Sequence, residues 1–251
     1  MSEPTLVCLG CGDAFSERWY SSCLAIRARD RTLLIDCPHP IRKILREAGS
    51  AAGIRLEVEE LAGLVLTHIH ADHASGVEGL GYYLRYIMGR RLPLLAHPTV
   101  ADELWSGQLA VTMERVGGIL PDDPAAQVVG LEDYFDYISL DDQRSIQFGE
   151  FAIECRQTRH PVPTYALRIT VGGRRFGYSA DTAYDRELID WLAAADLIVH
   201  EANRGIHTPY EALAALPENV RSRMRLIHYP DDFDLEASVI EPLRPGQVYA
   251  I

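Results

Sequence analysis

Residues 67–73 read Thr67-His68-Ile69-His70-Ala71-Asp72-His73, directly after the apolar triplet Leu64-Val65-Leu66. Three imidazoles and a carboxylate within six residues cannot all point into a packed core, because each polar group needs a partner once it leaves water. They fit a loop at the end of a buried strand, where alternate side chains and a tight turn aim at two neighbouring points. Imidazole nitrogen and carboxylate oxygen suit Zn²⁺, Mn²⁺ or iron, and the lack of a thiolate argues against selection of a soft metal. An isolated histidine is ordinarily structural. This cluster is a metal-ligating segment.

Outward from it the chain alternates β-rich and αβ stretches. Thr5–Leu9, Cys23–Ala28 and Thr32–Asp36 read as short strands between turn-prone residues. Ile41, Ile44 and Leu45 have helical spacing, and Gly49 is the expected stop. A helix is expected after His73, a strand over Pro93–Ala96 and a second helix from Pro98 to Val116. Gly117 to Leu131, with its glycines, prolines and acids, is the expected mobile loop. Strands follow over Ser145–Phe148, Phe151–Gln157, Thr164–Val171 and Arg174–Tyr178, and Gly172-Gly173 is a hairpin turn. Arg186 to Ala195 is expected to be helical, and Leu197–Val199 and Arg225–Ile227 to be buried strands.

The bulk properties restrict the partners. At 251 residues and 47% hydrophobic content the chain can build a sizeable core, and we expect a single domain over residues 1–251. No apolar run reaches the roughly 20 residues that cross a bilayer, and the first residues lack the pattern of a signal peptide. A soluble, cytoplasmic protein with no membrane partner is the expectation. The net charge of −12 argues against a long nucleic acid as partner, since such proteins ordinarily present a basic face to phosphates. Five cysteines, Cys8, Cys11, Cys23, Cys37 and Cys155, show no dense disulfide-like spacing. Cys8 and Cys11 form a single C-x-x-C, which reads more simply as small buried residues than as half of a zinc site or a redox pair.

The H-x-H-x-D-H segment resembles the signature of the metallo-β-lactamase superfamily, and the resemblance runs along essentially the whole chain. His160, after the Phe151–Gln157 run, matches the next histidine ligand. Asp181 in Tyr178-Ser179-Ala180-Asp181-Thr182 matches the aspartate that bridges two metals, and His228 matches the last ligand. The resemblance implies an α/β fold, an αββα sandwich of two mixed sheets packed face to face with helices outside. It also implies two divalent ions, Zn or Mn, with Fe also compatible. His68, His70 and His160 would hold one, Asp72, His73 and His228 the other, with Asp181 between them.

Two departures narrow the branch. True zinc β-lactamases of the common type use cysteine where Asp181 stands, which argues against antibiotic hydrolysis. Leu197-Ile198-Val199-His200-Glu201-Ala202 and Ile206-His207-Thr208 look like the ribonuclease Z and cyclic-phosphodiesterase branch, where a glutamate orients a histidine near the leaving group. Leu9-Gly10-Cys11-Gly12-Asp13-Ala14 and Leu34-Ile35-Asp36-Cys37 resemble that branch too, with Cys11 where threonine is usual. Ribonuclease Z enzymes carry a long arm between the ligands matching His160 and Asp181, and that arm grips transfer RNA. Here only 20 residues intervene, enough for a hairpin. The expectation is therefore a hydrolase of a small, cyclic phosphodiester, with a homodimer allowed.

Catalytic roles would fall to Asp72 within the ligand set and to His207 and Glu201 beside it. A protonated His207, held charged by Glu201, would protonate the departing oxygen. Glu201 as an anchor for a ligand histidine, and His207 as a surface residue beside a Thr208-Pro209 helix start, remain alternatives. His200, His39 and His97 read as structural, and Tyr229 and Asp231 as residues that need not line the pocket. Thioester or lactone hydrolysis would use the same ligands without the His207–Glu201 pair. A di-iron redox enzyme would keep them but lacks an attached electron-transfer module here, and a non-catalytic member would ordinarily have lost a ligand.

Overall fold

Apolar runs at the start of the chain pair as an antiparallel meander of β1 (Thr5–Gly10), β2 (Cys23–Ala28) and β3 (Arg31–Ile35). Nearly every residue of these strands is buried, so both faces of the sheet are covered. β4 (Leu61–Val65), β5 (Leu92–Ala96) and, beyond a ribbon of β6 (Arg115–Val116) and β7 (Gln127–Val128), β8 (Phe135–Ser139) then add in parallel. The second sheet repeats the plan. β9 (Ile146–Phe148), β10 (Phe151–Gln157), β11 (Tyr165–Val171) and β12 (Arg174–Tyr178) run antiparallel, and β13 (Leu197–Glu201), β14 (Met224–Ile227) and β15 (Glu241–Pro242) add in parallel. β16 (Val248–Ala250) returns to pair with β1, giving two seven-stranded mixed sheets. This computed structural model describes residues 3–119 and 123–251.

The helices include α1 (Ile41–Ala52), α2 (Ala71–Ala74), α3 (Val77–Tyr82), α4 (Pro98–Glu103), α5 (Ala110–Met113), α6 (Arg186–Leu192), α7 (Tyr210–Ala214) and α8 (Glu218–Arg221). α1 buries Ile41, Ile44, Leu45 and Ala48 along one face, as its spacing predicts. Its stop is a correction. The helix runs through Gly49 and ends at Gly53, whose φ of 68° is the left-handed cap that glycine adopts freely. Gly49 is there for closeness, since a Cβ would meet Ile54 O at 2.9 Å.

The helix expected from Pro98 to Val116 is α4, a π-helical segment over Leu104–Leu109 and α5, with Arg115 and Val116 passing into β6. The expected loop 117–131 contains β7, and its residues 120–122 lie outside the described residues. β8, β15 and β16 were not foreseen. Gly172 and Gly173 both have positive φ, 58° and 79°, the backbone that a tight β11–β12 hairpin requires. That hairpin fills most of the interval between His160 and Asp181. No described helix is long and apolar enough to cross a membrane.

Candidate metal centre

The candidate ligands sit where strands end. His68, His70, Asp72 and His73 follow β4, His160 follows β10, Asp181 follows β12 and His228 follows β14. In open α/β sheets the carboxyl ends of parallel strands form the crevice in which sites are built. Three non-glycine residues at these ends, Asp36, Ala180 and His228, have φ of 61°, 49° and 60°. Such left-handed backbone is costly for a residue with a Cβ and persists only where its surroundings dictate it.

Two groups of candidate ligand atoms result, each within 4.8 Å of one another: His68, His70, His160 and Asp181; and Asp72, His73, Asp181 and His228; a third such group, Glu201, His207 and His228, shares His228 with the second. Asp181 belongs to the first two. Its Oδ1 lies 3.3 Å from His73 Nε2, and its Oδ2 lies 3.4 Å from His228 Nε2, 3.8 Å from His68 Nε2 and 3.9 Å from His160 Nε2. Apart from His160 Nε2 to His70 Nδ1 at 3.0 Å, these separations are too long for good hydrogen bonds. His68 Nε2, His73 Nε2 and Asp181 Oδ1 are buried without a hydrogen-bond partner among the described residues. Buried, unpartnered lone pairs that converge in two groups fit cations. The donor set of imidazoles and carboxylates is one that Zn²⁺ or Mn²⁺ takes.

Three of the remaining ring nitrogens are tied back into the protein, while His160 Nδ1 is buried without a hydrogen-bond partner among the described residues. His73 Nδ1 is 2.9 Å from Asp36 Oδ2, and Asp36 Oδ1 accepts from Thr67 N–H at 2.9 Å. His68 Nδ1 is 3.0 Å from Thr67 Oγ1, and His228 Nδ1 is 3.0 Å from Ser22 Oγ. These contacts fix tautomer and ring orientation, the usual support of a ligating histidine. Burial pushes His160 down to about 4 and His68 well below the ordinary imidazole range, so both present lone pairs at neutral pH. His73 goes the other way: burial opposes its charge, but Asp181, Asp72 and Asp36 outweigh that and raise it. For Asp181, burial is outweighed by His228 and His73, which hold its carboxyl well below the usual carboxylate range.

Glu201 and His207 lie beside these groups. Glu201 ends β13, fully buried, and its Oε1 accepts from Thr182 N–H. His207 Nδ1 is 3.1 Å from Glu201 Oε1 and 2.9 Å from Oε2. The His207 ring is 5.7 Å from that of His160 and 5.2 Å from that of His228, so it stands against both ligand groups. Burial lowers its pKa, but the Glu201 hydrogen bond and charge outweigh this and raise it.

Other expectations sort themselves by contact. Thr208 does not cap a helix; it is buried and its hydroxyl donates to Thr182 O at 3.0 Å. His200 is buried with Nδ1 2.8 Å from Glu201 O, and His97 caps α4 and stacks on Tyr165 at 4.1 Å. Buried Tyr229 donates to Leu243 O and its hydroxyl lies 3.0 Å from Cys11 Sγ, while Asp231 accepts from Glu17 N–H and Arg18 N–H. All five cysteines are buried free thiols.

Comparison with known proteins follows the same lines. A model of the family described as Anti-Pycsar protein Apyc1 matches residues 4–244. This chain belongs to the Apyc1 family. It is 31% identical to the Apyc1 protein of Bacillus phage BSP38, covering 90% of this chain and 89% of that one. The Apyc1 protein of Paenibacillus sp. (strain J14) is 30% identical, with 97% of both chains covered. Among solved structures, the metallo-β-lactamase fold protein YhfI from Bacillus subtilis superposes with a TM-score of 0.76 at 20% identity over 99% of both chains. The short form of human tRNase Z does so with a TM-score of 0.69 at 18% identity, covering 98% of this chain and 99% of that one. The metallo-β-lactamase fold and α/β class expected from the sequence are thereby shown.

Sequence reasoning missed the supporting residues Thr67 and Ser22, assigned no role to Asp36, and did not single out Asn203. Ser22 and His228 are 206 positions apart, so no local spacing signals their contact.

Proposed function

We propose that the protein hydrolyses a small, cyclic phosphodiester at a dinuclear metal centre, in the cytoplasm. His68, His70 and His160 would hold one cation, Asp72, His73 and His228 the second, and Asp181 both; Zn²⁺ or Mn²⁺ suits the donors. Bound there, two such ions supply Lewis acidity for a phosphoryl oxygen and a water of lowered pKa. Asp181, common to both groups, would be the ligand the two ions share. Asp36, Thr67 and Ser22 hold the imidazoles of His73, His68 and His228 in the orientation that keeps a lone pair inward.

The observation that carries the reading is the His207–Glu201 pair against both ligand groups. Glu201 engages His207 Nδ1, which leaves Nε2 as the donor atom for a departing oxygen. A cyclic phosphodiester departs as a sugar alkoxide, a poor leaving group that needs a proton, and general-acid help there is worth roughly 10²–10⁴-fold. Thioester hydrolysis gives this pair less to do, because a thiolate leaves readily without a proton. The short β11–β12 hairpin and the acidic balance favour a small substrate over an RNA. A fold neighbour described as a diphosphatase from the PhnP family is in keeping with phosphoryl chemistry.

The test is a side-by-side panel of a cyclic nucleotide, bis(p-nitrophenyl) phosphate, a thioester and a lactone, with Zn²⁺ or Mn²⁺ and with chelator. The phosphodiesters should be turned over and chelator should stop them. Thioester or lactone turnover far above any phosphodiester rate would overturn the proposal.

A further inference from the structure

The loop between β13 and α7 carries His207, and Asn203 explains how that loop is held. Asn203 N–H donates to Thr208 O at 3.0 Å, closing residues 203–208 on themselves, and Asn203 Oδ1 accepts from Arg204 N–H at 2.8 Å. Its amide Nδ2 donates twice, to Asp13 Oδ2 at 3.0 Å and to the backbone carbonyl of His228 at 3.0 Å. A carboxylate and a carbonyl on one side and an N–H on the other fix which end of the amide is nitrogen. Asp13 is itself buried, and its second oxygen accepts from Phe15 N–H at 2.9 Å.

The other end of this clamp is a candidate ligand under backbone strain. His228 has φ of 60°, its N–H donates to Cys11 O at 2.8 Å and its Nδ1 meets Ser22 Oγ at 3.0 Å. With Asn203 on its carbonyl, every polar atom of His228 except Nε2 is engaged. Nε2 faces Asp181 Oδ2 at 3.4 Å and Asp72 Oδ2 at 3.9 Å.

We infer that Asn203 is a positioning residue that anchors His228 and the His207 loop directly to one another, with Asp13 bracing its amide. The strained ligand and the proposed acid then share one support, so that the second cation and the leaving-group proton are delivered in register. The His207 half of this inference rests on the phosphodiesterase reading; the His228 half does not.

The decisive substitution is Asn203→Asp, which keeps the shape but sets a carboxylate against two acceptors. Its partner is the double variant Asp13→Asn/Asn203→Asp, which exchanges donor and acceptor between the two positions and leaves the His228 carbonyl without its donor. Chelated protein is titrated with Zn²⁺ by calorimetry. Asn203→Asp should weaken one of two bound ions by about 10–100-fold and leave the other within a few-fold. At saturating metal it should slow a cyclic phosphodiester at least about tenfold more than bis(p-nitrophenyl) phosphate. The double variant should recover that leaving-group selectivity and not the ion affinity. If Asn203→Asp does not fold, Asn203→Ala carries the same expectations. Unchanged affinity for both ions, or equal weakening of both, would overturn the inference. Selective loss of one ion in a protein that hydrolyses no phosphodiester would support the anchor and sink the phosphodiesterase reading.

Discussion

Asp181 is the residue on which both ligand groups converge, within 3.9 Å of four imidazole nitrogens. Asp181→Asn keeps the shape and removes the shared negative charge, so activity should fall to background and metal content to one ion or fewer per chain by elemental analysis. An active variant with both ions bound would refute the assignment. His207→Ala should behave differently. It should hydrolyse a p-nitrophenyl ester nearly as well as the parent, and slow by roughly 10²–10⁴-fold on a substrate that leaves as an alkoxide. Metal content should not change, and equal losses on both substrates would make His207 a structural residue. His200 gives a prediction about stability. Burial pushes its pKa down to about 4, against about 6.5 in an unfolded chain. Between those values the unfolded state binds a proton that the folded state refuses. The contribution is therefore complete above pH 6.5 and is lost as pH falls towards 4. Denaturant unfolding at pH 7 and pH 5 should show the parent losing about 2 kcal/mol more than His200→Asn. Equal losses would mean that His200 titrates normally.

At the scale of elements, the site is made by strand ends, and these are also where the sequence was most readable. β2, β10 and β12 have the bounds that their apolar runs predict, and each ligand follows such a run. The candidate ligands were legible because side chains of metal-binding type cluster at short spacing or stand just past a buried strand. Asp36, Ser22 and Asn203 were not assigned roles, because a single Asp, Ser or Asn carries no spacing signal and their partners lie far along the chain. β8 was hidden for a different reason: only Phe135 of its residues is buried, so alternation is weak. Glycines at these ends can be tested directly. A Cβ at Gly76 would stand 2.5 Å from Pro38 O and 2.7 Å from Cys37 O, both backbone atoms beside the His73 turn. Gly76→Ala should destabilise by about 1–3 kcal/mol in denaturant unfolding and lower metal content. Gly79→Ala, in α3 with nothing within 4 Å, should be neutral or stabilise by roughly 0.5–1 kcal/mol. Matching effects at the two positions would contradict this reading of the α2–α3 junction.

In the whole molecule, both sheets have an antiparallel half and a parallel half, and the candidate centre gathers residues from the ends of strands in both. The layered plan was visible in the sequence mainly through the ligand motifs, since short apolar runs alone do not say which strands pair. Because the ligands come from distant segments, bound cations should stabilise the folded state as any native-state ligand does. The melting temperature should rise with Zn²⁺ or Mn²⁺ and fall with chelator; a melting temperature indifferent to both would argue against a preformed centre. The decisive measurement is the rate of cyclic-nucleotide hydrolysis as metal is added back to chelated protein. Turnover should stay low up to one ion per chain, rise steeply towards two, and not rise in Asp181→Asn. Full activity at one ion per chain, or no hydrolysis at any loading, would contradict the dinuclear phosphodiesterase reading.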